Sequence, residues 1–545
     1  MDRRVILAIV LMLIVAIVPS ILFPPKRPVA PKIPARASAA LPAPSAATPP
    51  GPLALAPAPP PTLAAAETVW VESAHYRFGF STRGGALVSA ELLDFQSFAP
   101  SDKRVPVELV PADRPLLSAR LAVGSDTLAL ADLSFTPSTQ ALSVTRDTAL
   151  VLVAQRAGTD IRLTYAFSPE DYRFRVHGHV GGLGPTGAVL VLGLGDGVRS
   201  VEADSVDDFR HYAVVTKAAR TQSTAFASLK PGEQKVLDGP FEWVGIKSKY
   251  FLIGALAIDS GEAQFAGSIA VGGPRTGRLA SRAAVSATLA VAPTGEFNFS
   301  VYAGPLEYRR LVRIGHGLDD ANPYGGFLRP IIQPVSAFVV NVLLWMHEKL
   351  HLAYGWVLII FGVLVRLLLW PLNQRAMESS LRMQAVGPLI KSVQDRYKNE
   401  PDRLQREMLK IYREHQVNPF GGCLPMVLPM PVLFALFFVF ANTIEFRGVP
   451  FLWLPDLSRS DPYFIIPIVM GLSMFVLSKV GQMGMPPNPQ AATMLYVMPV
   501  FMTILFMRFA SGLNLYYAVS NLFSIPQQYG LAQRRRRQTG RPSSG

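Results

Sequence analysis

The chain has very little cysteine and few motifs that carry chemistry. Cys423 is the only cysteine among 545 residues, which excludes an intrachain disulfide framework. Neither the C-x-x-C pattern nor a P-loop occurs. We expect no cofactor and no metal ligands, and we interpret Cys423 as a small packing residue.

Long apolar runs are present, and the first lies at the N-terminus. Residues 5–23 form one run that is long enough for a helix to cross a bilayer. We predict a retained anchor over residues 1–23. A cleaved signal peptide is the alternative, although the run is long for one and no A-x-A sequence follows closely. Residues 24–66 are rich in Pro and Ala, which favours an extended spacer.

Residues 67–326 have a different texture, with short alternating runs between turn residues. HYRFGFSTRGG, LSVTRDTALVLVAQ, DIRLTYAFSP and YRFRVHGHVGG are each typical of strands. Their spacing predicts an antiparallel β-sandwich domain. Because the region is large for one sandwich, we expect long or doubled sheets.

The last third of the chain is predicted to be helical. Residues 327–352 are apolar at helical spacing but interrupted by prolines, which predicts an amphipathic helix lying along the outer membrane surface; a spanning helix is the alternative. Further membrane spans are predicted at 354–372, 424–441, 463–479, 494–509 and 513–527. A charged, helix-forming segment at 373–422 separates the first two of these spans and predicts a helical hairpin outside the membrane.

Charge predicts the orientation of these spans. The hairpin at 373–422 carries nine Lys and Arg residues, and the tail at 531–545 is strongly basic, so both are expected in the cytoplasm. Six spans then place both termini in the cytoplasm and the domain 67–326 in the periplasm. The four basic residues that follow the first span oppose this orientation, because they would lie outside.

Arg366 lies within the apolar run FGVLVRLLLWPL, about 6 Å deeper than Trp370 at 1.5 Å per residue. A snorkelling side chain that reaches the headgroups is one interpretation, and a cation facing a hydrated cavity is the other. The last span adds polar side chains at helical spacing, which serve helix packing or line the same cavity. These side chains are Tyr516, Tyr517, Ser520, Asn521 and Ser524.

Together, several segments resemble the YidC family of bacterial membrane protein insertases. In the helical part these are VRLLLWPL, VNPFGGCLPMVLPMP, DLSRSDPYFIIPIVMG and FASGLNLYYAVSN, within residues 355–529. In the β domain they are STRGGALVSAELLDF and FEWVGIKSKYFLIGAL. The first 66 residues and the end of the tail match the family in layout and not in motif.

This resemblance implies an inner-membrane insertase and chaperone with six transmembrane helices, of which five form the insertase core at 353–530. It implies a hydrophilic groove, open to the cytoplasm and to lipid, in which Arg366 attracts acidic residues of the substrate. Because no bond is broken in this role, it also implies that no catalytic residues are needed. The family's substrate-contacting positions correspond to Gly362 and Tyr517. Gly362 and Pro429 both stand where a polar residue is expected, so they depart from the family pattern.

The resemblance also implies partners. These are nascent membrane proteins, the lipid bilayer, the Sec translocon, the targeting machinery and the ribosome, whose RNA the basic tail can meet through non-specific charge. A tail that serves only topology is the alternative. Two other function classes compete, a small-solute transporter or channel and a sugar-modifying enzyme in the β domain. We find no internal repeat in the five-span region, and no paired-carboxylate site can be assembled in the β domain.

Overall fold

The computed structural model describes residues 66–539, except 113, 125, 157–158, 184–186, 259–263, 276–278, 323, 325–327, 418–429 and 484–488. The predicted anchor at 1–23, the linker up to residue 65 and residues 540–545 of the tail lie outside the described residues. So do Cys423 and Pro429.

The N-terminal half of the described chain is built from β-strands. Their bounds are β1 Thr68–Glu72, β2 Tyr76–Ser81, β3 Leu87–Gln96, β4 Pro106–Glu108, β5 Ser118–Val123, β6 Asp126–Ala129, β7 Thr136–Pro137, β8 Ala141–Ser143, β9 Thr148–Arg156, β10 Thr159–Phe167, β11 Arg173–Val180, β12 Ala188–Gly195, β13 Ala213–Lys217, β14 Thr221–Ala225, β15 Gln234–Phe241, β16 Trp243–Lys247, β17 Phe251–Leu256, β18 Phe265–Gly272, β19 Ala283–Val291 and β20 Glu296–Pro305. The predicted strand LSVTRDTALVLVAQ is divided between β8 and β9.

These strands form three sheets, whose strand orders are β4-β3-β2-β1-β8, β14-β13-β16-β17-β20-β11-β10-β9-β7 and β15-β18-β19-β12-β5-β6. Strands β1 and β8 run parallel, and the other pairs of named strands in the described residues are antiparallel. The domain is therefore larger than a single sandwich of two short sheets, as its length predicted.

One face of the nine-stranded sheet packs against both other sheets. Phe80 of the five-stranded sheet contacts Tyr165 of β10 and Phe174 of β11, with ring centroids 4.7 Å and 5.5 Å apart. Leu190 of the six-stranded sheet lines a small cavity together with Tyr165 and Leu163. Side chains alternate along a strand, so the opposite face of β10 carries the more exposed residues. The β domain thus has two layers around one continuous core.

A tight turn at Gly84 and Gly85 brings β2 and β3 close to this core. Both glycines have positive φ, 80° and 67°, which other residues rarely adopt. A Cβ on Gly85 would lie 2.8 Å from the hydroxyl oxygen of Tyr165, and that hydroxyl donates to the Gly85 carbonyl at 2.8 Å. The sequence TRGG therefore serves packing as well as the turn.

The C-terminal half is helical. Numbered along the whole chain, the helices are α1 Ser205–Arg210, α2 Tyr308–Ile314, α3 Arg329–Leu350, α4 Tyr354–Leu368, α5 Trp370–Ala385, α6 Gly387–Arg396, α7 Pro401–Glu414, α8 Met430–Asn442, α9 Ile465–Gly481, α10 Pro489–Phe506 and α11 Ser511–Thr539. Helix α3 packs on α8 and α4, α4 packs on α11, and α9 packs on α10 and α11. The predicted order of a β-rich domain followed by a helical region is confirmed.

Some helix boundaries differ from the predictions. The predicted span 354–372 is divided between α4 and α5, because Pro371 cannot continue the hydrogen bonding of α4 but suits the first turn of a new helix. The first helix of the predicted hairpin is divided at Val386, just before Gly387 and Pro388. Helix α11 continues well beyond the predicted span 513–527, to Thr539, through residues that are strong helix formers.

By length and composition, α3 is the one helix in the described part of the chain that is long and apolar enough to cross a membrane. The shorter apolar helices are Tyr354–Leu368, Met430–Asn442, Ile465–Gly481 and Leu495–Phe506. The count of six spans, the surface position of residues 327–352 and the cytoplasmic hairpin therefore stay predictions.

The aromatic core of the β domain generates a prediction about stability. Phe174 is 1% exposed and contacts the rings of Phe78, Phe80 and Phe167 at 5.4–5.7 Å. We expect Phe174→Ala to lower the free energy of unfolding by about 3–5 kcal/mol, because the cavity cannot refill. Urea unfolding of the intact protein in detergent, followed by fluorescence, measures this. Val236, which is 62% exposed, provides the control Val236→Ala, and an equal loss in both variants would contradict the packing argument.

Candidate functional site

Arg366 lies in the last turn of α4, where a cation interacts favourably with the helix dipole. Its side chain is half-buried, and its Nε is buried with no hydrogen-bond partner among the described residues. No ion pair joins Arg366 to a carboxylate in the described part of the chain. Arg366 is therefore a partly buried cation beside apolar helices without a neutralising anion from those residues.

One strip of α11 faces α4 near Arg366. Tyr516 is 6% exposed and packs against Phe361, with ring centroids 6.1 Å apart. A Cβ on Gly362 would lie 3.3 Å from the Tyr516 ring, so the missing side chain at Gly362 lets α4 and α11 approach closely. Tyr516 also lies near Arg366. The structure therefore brings Arg366, Gly362 and Tyr516 together, as expected of one site.

The same strip of α11 continues through Ser520, Ser524 and Gln527. The Ser524 hydroxyl donates to the Ser520 carbonyl at 2.5 Å, and Gln527 Nε2 donates to the Trp370 carbonyl at 3.2 Å. The bond from Gln527 ties α11 to the junction of α4 and α5. Gln527 is not among the predicted site residues, and the structure shows that it belongs with this strip.

Two predicted site residues face other helices. Asn521 Nδ2 donates to Ser473 Oγ on α9 at 3.2 Å. Tyr517 packs edge-on against Phe506 of α10, with ring centroids 5.5 Å apart. These contacts show α11 to be central to the bundle, with neighbours on several faces, and they separate Asn521 and Tyr517 from the α4-facing strip.

Several polar atoms inside the helical bundle are buried without a hydrogen-bond partner among the described residues. Besides Arg366 Nε, they include Asn373 Nδ2, Asn514 Oδ1 and Gln527 Oε1. Buried polar groups are normally satisfied by protein, water or a ligand. Sequence reasoning missed Asn373, although its position one turn after Trp370 is a usable signal. The α4–α11 interior therefore has spare hydrogen-bonding capacity.

The loop between α8 and α9, residues 443–464, covers one end of the bundle. Phe451 contacts Trp356 of α4 at 5.6 Å, and the Gly512 amide of α11 donates to the Leu457 carbonyl at 3.0 Å. Asp461 accepts from the Ile466 amide at 2.8 Å, which satisfies an otherwise free donor at the start of α9. We call these residues the α8–α9 loop. It holds the ends of α4, α9 and α11 together.

Glu445 of the α8–α9 loop has a perturbed ionisation. Burial raises the pKa of its carboxyl to about 7, the charge of Glu307 adds to the rise, and Arg309 opposes it. Its Oε2 is buried with no hydrogen-bond partner among the described residues. A proton on Glu445 therefore stabilises this loop near neutral pH.

One motif passed over in sequence is the H-E-x-x-H match formed by His347, Glu348 and His351. A zinc site would need both histidines on one face of a helix. Helix α3 ends at Leu350, and His351 has a left-handed conformation with φ of 52°. His347 Nδ1 lies 2.7 Å from the Leu352 carbonyl, and Glu348 pairs with Arg309. The residues of this match therefore make structural contacts. The described residues contain no group of three or more His, Cys, Asp or Glu residues able to hold a metal ion.

The fold and the site define a class of protein. A β-rich domain is joined to a bundle of apolar helices whose interior holds a half-buried cation and several amide atoms without a hydrogen-bond partner among the described residues. This arrangement is that of a membrane protein with a large domain outside the bilayer and a polar region inside its bundle.

Comparisons with known proteins specify the family. The family model described as 60Kd inner membrane protein matches residues 345–538, and the YidC periplasmic domain model matches residues 68–337. A membrane protein insertase YidC from Anaeromyxobacter dehalogenans is 33% identical, with alignment over 100% of this chain and 99% of that one. One from Aromatoleum aromaticum is 34% identical, over 62% of this chain and 60% of its own length. The chain therefore belongs to the YidC family of membrane protein insertases.

A solved structure is also similar, the active YidC insertase with its first transmembrane domain resolved. It is 17% identical, covers 86% of this chain and 93% of its own, and has a TM-score of 0.35. The similar proteins are named membrane protein insertases, and these names describe no enzyme. The chain is thus an inner-membrane protein with a β-rich periplasmic domain.

Two helical glycines, Gly355 in α4 and Gly530 in α11, generate opposite predictions about stability. A Cβ on Gly355 would lie 2.0 Å from the Phe451 ring, whereas one on Gly530 would meet nothing within 4 Å. We expect Gly355→Ala to destabilise the protein by about 1–3 kcal/mol through overpacking. Gly530→Ala should stabilise it by up to about 1 kcal/mol through helix propensity. Melting temperatures in detergent test this, and a melting temperature unchanged by Gly355→Ala would contradict the contact.

Glu445 generates a prediction about pH. In the folded protein the pKa is about 7, above its ordinary value of 4.5, so the folded state binds more protons between these values. The stabilisation is complete below pH 4.5 and is lost as pH rises through 7. We expect the melting temperature of the wild type, relative to Glu445→Gln, to fall between pH 5 and pH 8. Glu400, exposed between α6 and α7, gives the control Glu400→Gln, and parallel curves for all three proteins would refute the assignment.

Proposed function

We propose that this chain inserts membrane proteins through a hydrophilic groove between α4 and α11, with Arg366 attracting acidic residues of the substrate. The observation that carries the proposal is the half-buried Arg366, which has no anionic partner among the described residues. A cation within apolar helices costs several kcal/mol, so its retention indicates a function. An entering carboxylate supplies the missing partner.

The chemistry of the groove fits transient binding. A charge-assisted hydrogen bond from a guanidinium to a carboxylate is stronger than a neutral one, and it strengthens further where water is scarce. Unpaired amide atoms of Asn373 and Gln527 offer additional donors and acceptors for a polar tail. No bond is broken in this process, so positioning and solvation are sufficient.

The closed end of the groove is the one covered by the α8–α9 loop. That loop contacts the periplasmic domain, since Arg447 Nε lies 2.7 Å from Glu202 Oε1. This contact supports the orientation in which the covered end faces the periplasm and α5–α7 face the cytoplasm. Both termini are then cytoplasmic, as the basic residues of the hairpin and tail also favour.

The outer surface of the bundle suits release into lipid. Large apolar side chains are exposed on α4, α9 and α10, including Leu368 at 77%, Leu472 at 62% and Ile504 at 62%. A surface of this kind is stable when surrounded by lipid tails. The apolar segment of a substrate can therefore leave the groove sideways, where its transfer from water is favourable.

The substrates are nascent membrane proteins, and the partners proposed are the targeting machinery, the Sec translocon and the ribosome. The helices α5–α7 carry many exposed charges and would receive the substrate or its targeting factors. Helix α11 continues to Thr539, so residues 534–537 belong to a helix that extends beyond the predicted span, and their positive charge would attract ribosomal RNA. The alternative of a small-solute transporter or channel is not supported, because the chain belongs to an insertase family.

Arg366 generates the functional prediction. In cells depleted of the wild-type protein, Arg366→Ala should insert a short, acidic-tailed, single-span substrate about tenfold more slowly, which corresponds to about 1.4 kcal/mol. Arg366→Lys should retain part of the rate because it keeps the charge without the planar fork of donors. Protease protection of the tail measures insertion.

Arg508, an exposed cation in the α10–α11 connection, provides the control Arg508→Ala, which should insert normally. A matched substrate with a neutral tail separates the steps. If depletion leaves insertion unchanged, the proposed insertase function is wrong. If depletion blocks insertion but Arg366→Ala inserts the acidic-tailed substrate as the wild type does, only the attraction step is wrong.

A further inference from the structure

Arg447 of the α8–α9 loop is buried against the periplasmic domain. Its side chain is 3% exposed, and its Nε lies 2.7 Å from Oε1 of Glu202, which is 12% exposed. Its Nη1 donates to the Gln96 carbonyl at 2.9 Å, and its Nη2 donates to the Val201 carbonyl at 3.4 Å. All three nitrogens of the guanidinium group therefore have acceptors from the β domain.

Aromatic side chains complete the environment of Arg447. The guanidinium carbon lies 4.4 Å from the ring centroid of Phe98 and 5.4 Å from that of Phe251. Contacts of a cation with aromatic faces add to its binding, especially where water is excluded. The next residue, Gly448, has a φ of 71°, and a Cβ there would lie 2.7 Å from the Phe98 ring. The loop backbone is thus shaped to bring Arg447 into this pocket.

A second buried connection runs from the β domain to the end of α8. Lys247 of β16 is 5% exposed, and its Nζ donates to Asn322 Oδ1 at 3.0 Å. Asn322 is itself 5% exposed, and its Nδ2 donates to the carbonyl of Asn442, the last residue of α8, at 2.7 Å. The side chain of Ile444 also belongs to the core of the β domain.

The other side of the α8–α9 loop holds the bundle. The Ser511 amide at the start of α11 donates to the Arg459 carbonyl at 2.6 Å, and Ser511 Oγ donates to the Asp456 carbonyl at 3.2 Å. Phe446 packs against Tyr354 of α4, with ring centroids 5.1 Å apart. The loop therefore lies between the β domain and the helical bundle, and each of the two makes its own polar contacts with the loop.

We propose that Arg447, paired with Glu202, and the Lys247–Asn322–Asn442 connection form a clamp by which the β domain keeps the α8–α9 loop closed over the end of the bundle. The β domain then has a mechanical role, because it holds the cover of the groove in place. The clamp itself does not depend on the insertion of any substrate, whereas its role as a cover rests on the proposed groove.

Arg447→Ala would leave the Glu202 carboxylate poorly solvated and unpaired, so the loop should detach locally while both folded parts remain. Hydrogen exchange of the full-length protein in lipid nanodiscs measures this through the peptides that cover residues 443–464. We expect exchange there to accelerate about tenfold or more in Arg447→Ala. Glu202→Gln and Lys247→Met, which alter the clamp from the β domain, should each give a smaller acceleration. They keep the test valid if Arg447→Ala fails to fold.

Arg459 lies in the same loop with an exposed side chain, so Arg459→Ala is the matched control and should exchange as the wild type does. Arg447→Lys should restore part of the protection, because it keeps the charge near Glu202. Equal exchange in the Arg447→Ala and Arg459→Ala proteins would overturn the clamp.

A second measurement addresses closure itself. Vesicles that contain the protein and a trapped, small hydrophilic dye should release the dye faster with Arg447→Ala than with Arg459→Ala. Faster exchange without faster release would overturn the role of the clamp as a cover while leaving the insertase function untouched.

Discussion

The single side chain of Arg447 joins the α8–α9 loop of the helical bundle to the β domain. One guanidinium group meets a carboxylate, two backbone carbonyls and two aromatic rings, all from the β domain. Buried polar groups are stable only with partners, and here the partners come from residues hundreds of positions away in the chain. Both the position of the α8–α9 loop and the arrangement of the helix ends that it contacts follow from this requirement.

The same requirement applies to Arg366, but this side chain has a buried nitrogen whose partner is not among the described residues. Arg447 has acceptors for every nitrogen, whereas Arg366 retains a buried Nε without a partner in the described part of the chain. The first arginine therefore joins two parts of the structure, and the second has the spare hydrogen-bonding capacity on which the proposed function depends. The two arginines also lie toward different ends of the bundle, with Arg366 in the last turn of α4 and the α8–α9 loop against its first turn. In the proposed function, a polar tail would therefore enter from the end of the bundle opposite the α8–α9 loop.

The family and the order of a β-rich domain followed by a helical region could both be predicted from the sequence, whereas the role of Arg366 as a site residue stays a prediction. Alternation with period two and long apolar runs are local signals, so they survive without tertiary information. Helix boundaries were less predictable: Pro371 and Gly387 divided helices that the hydrophobic pattern made continuous, and α11 ran on through the basic tail to Thr539. The H-E-x-x-H match is a case in which a local pattern misleads. Its second histidine lies beyond the end of the helix, so the two histidines cannot share a helix face as a zinc site requires.

By itself, the sequence determined which segments are strands, which are apolar helices and which cation lies in a helix, since each follows from local composition. Only the tertiary structure decided which face of α11 meets α4, so that Tyr516 joins Arg366 while Asn521 turns to Ser473. It also decided that Lys247 and Arg447 act at one interface. Their partners are distant in sequence, and a buried hydrogen bond depends on where the chain brings its atoms and not on the residues beside them.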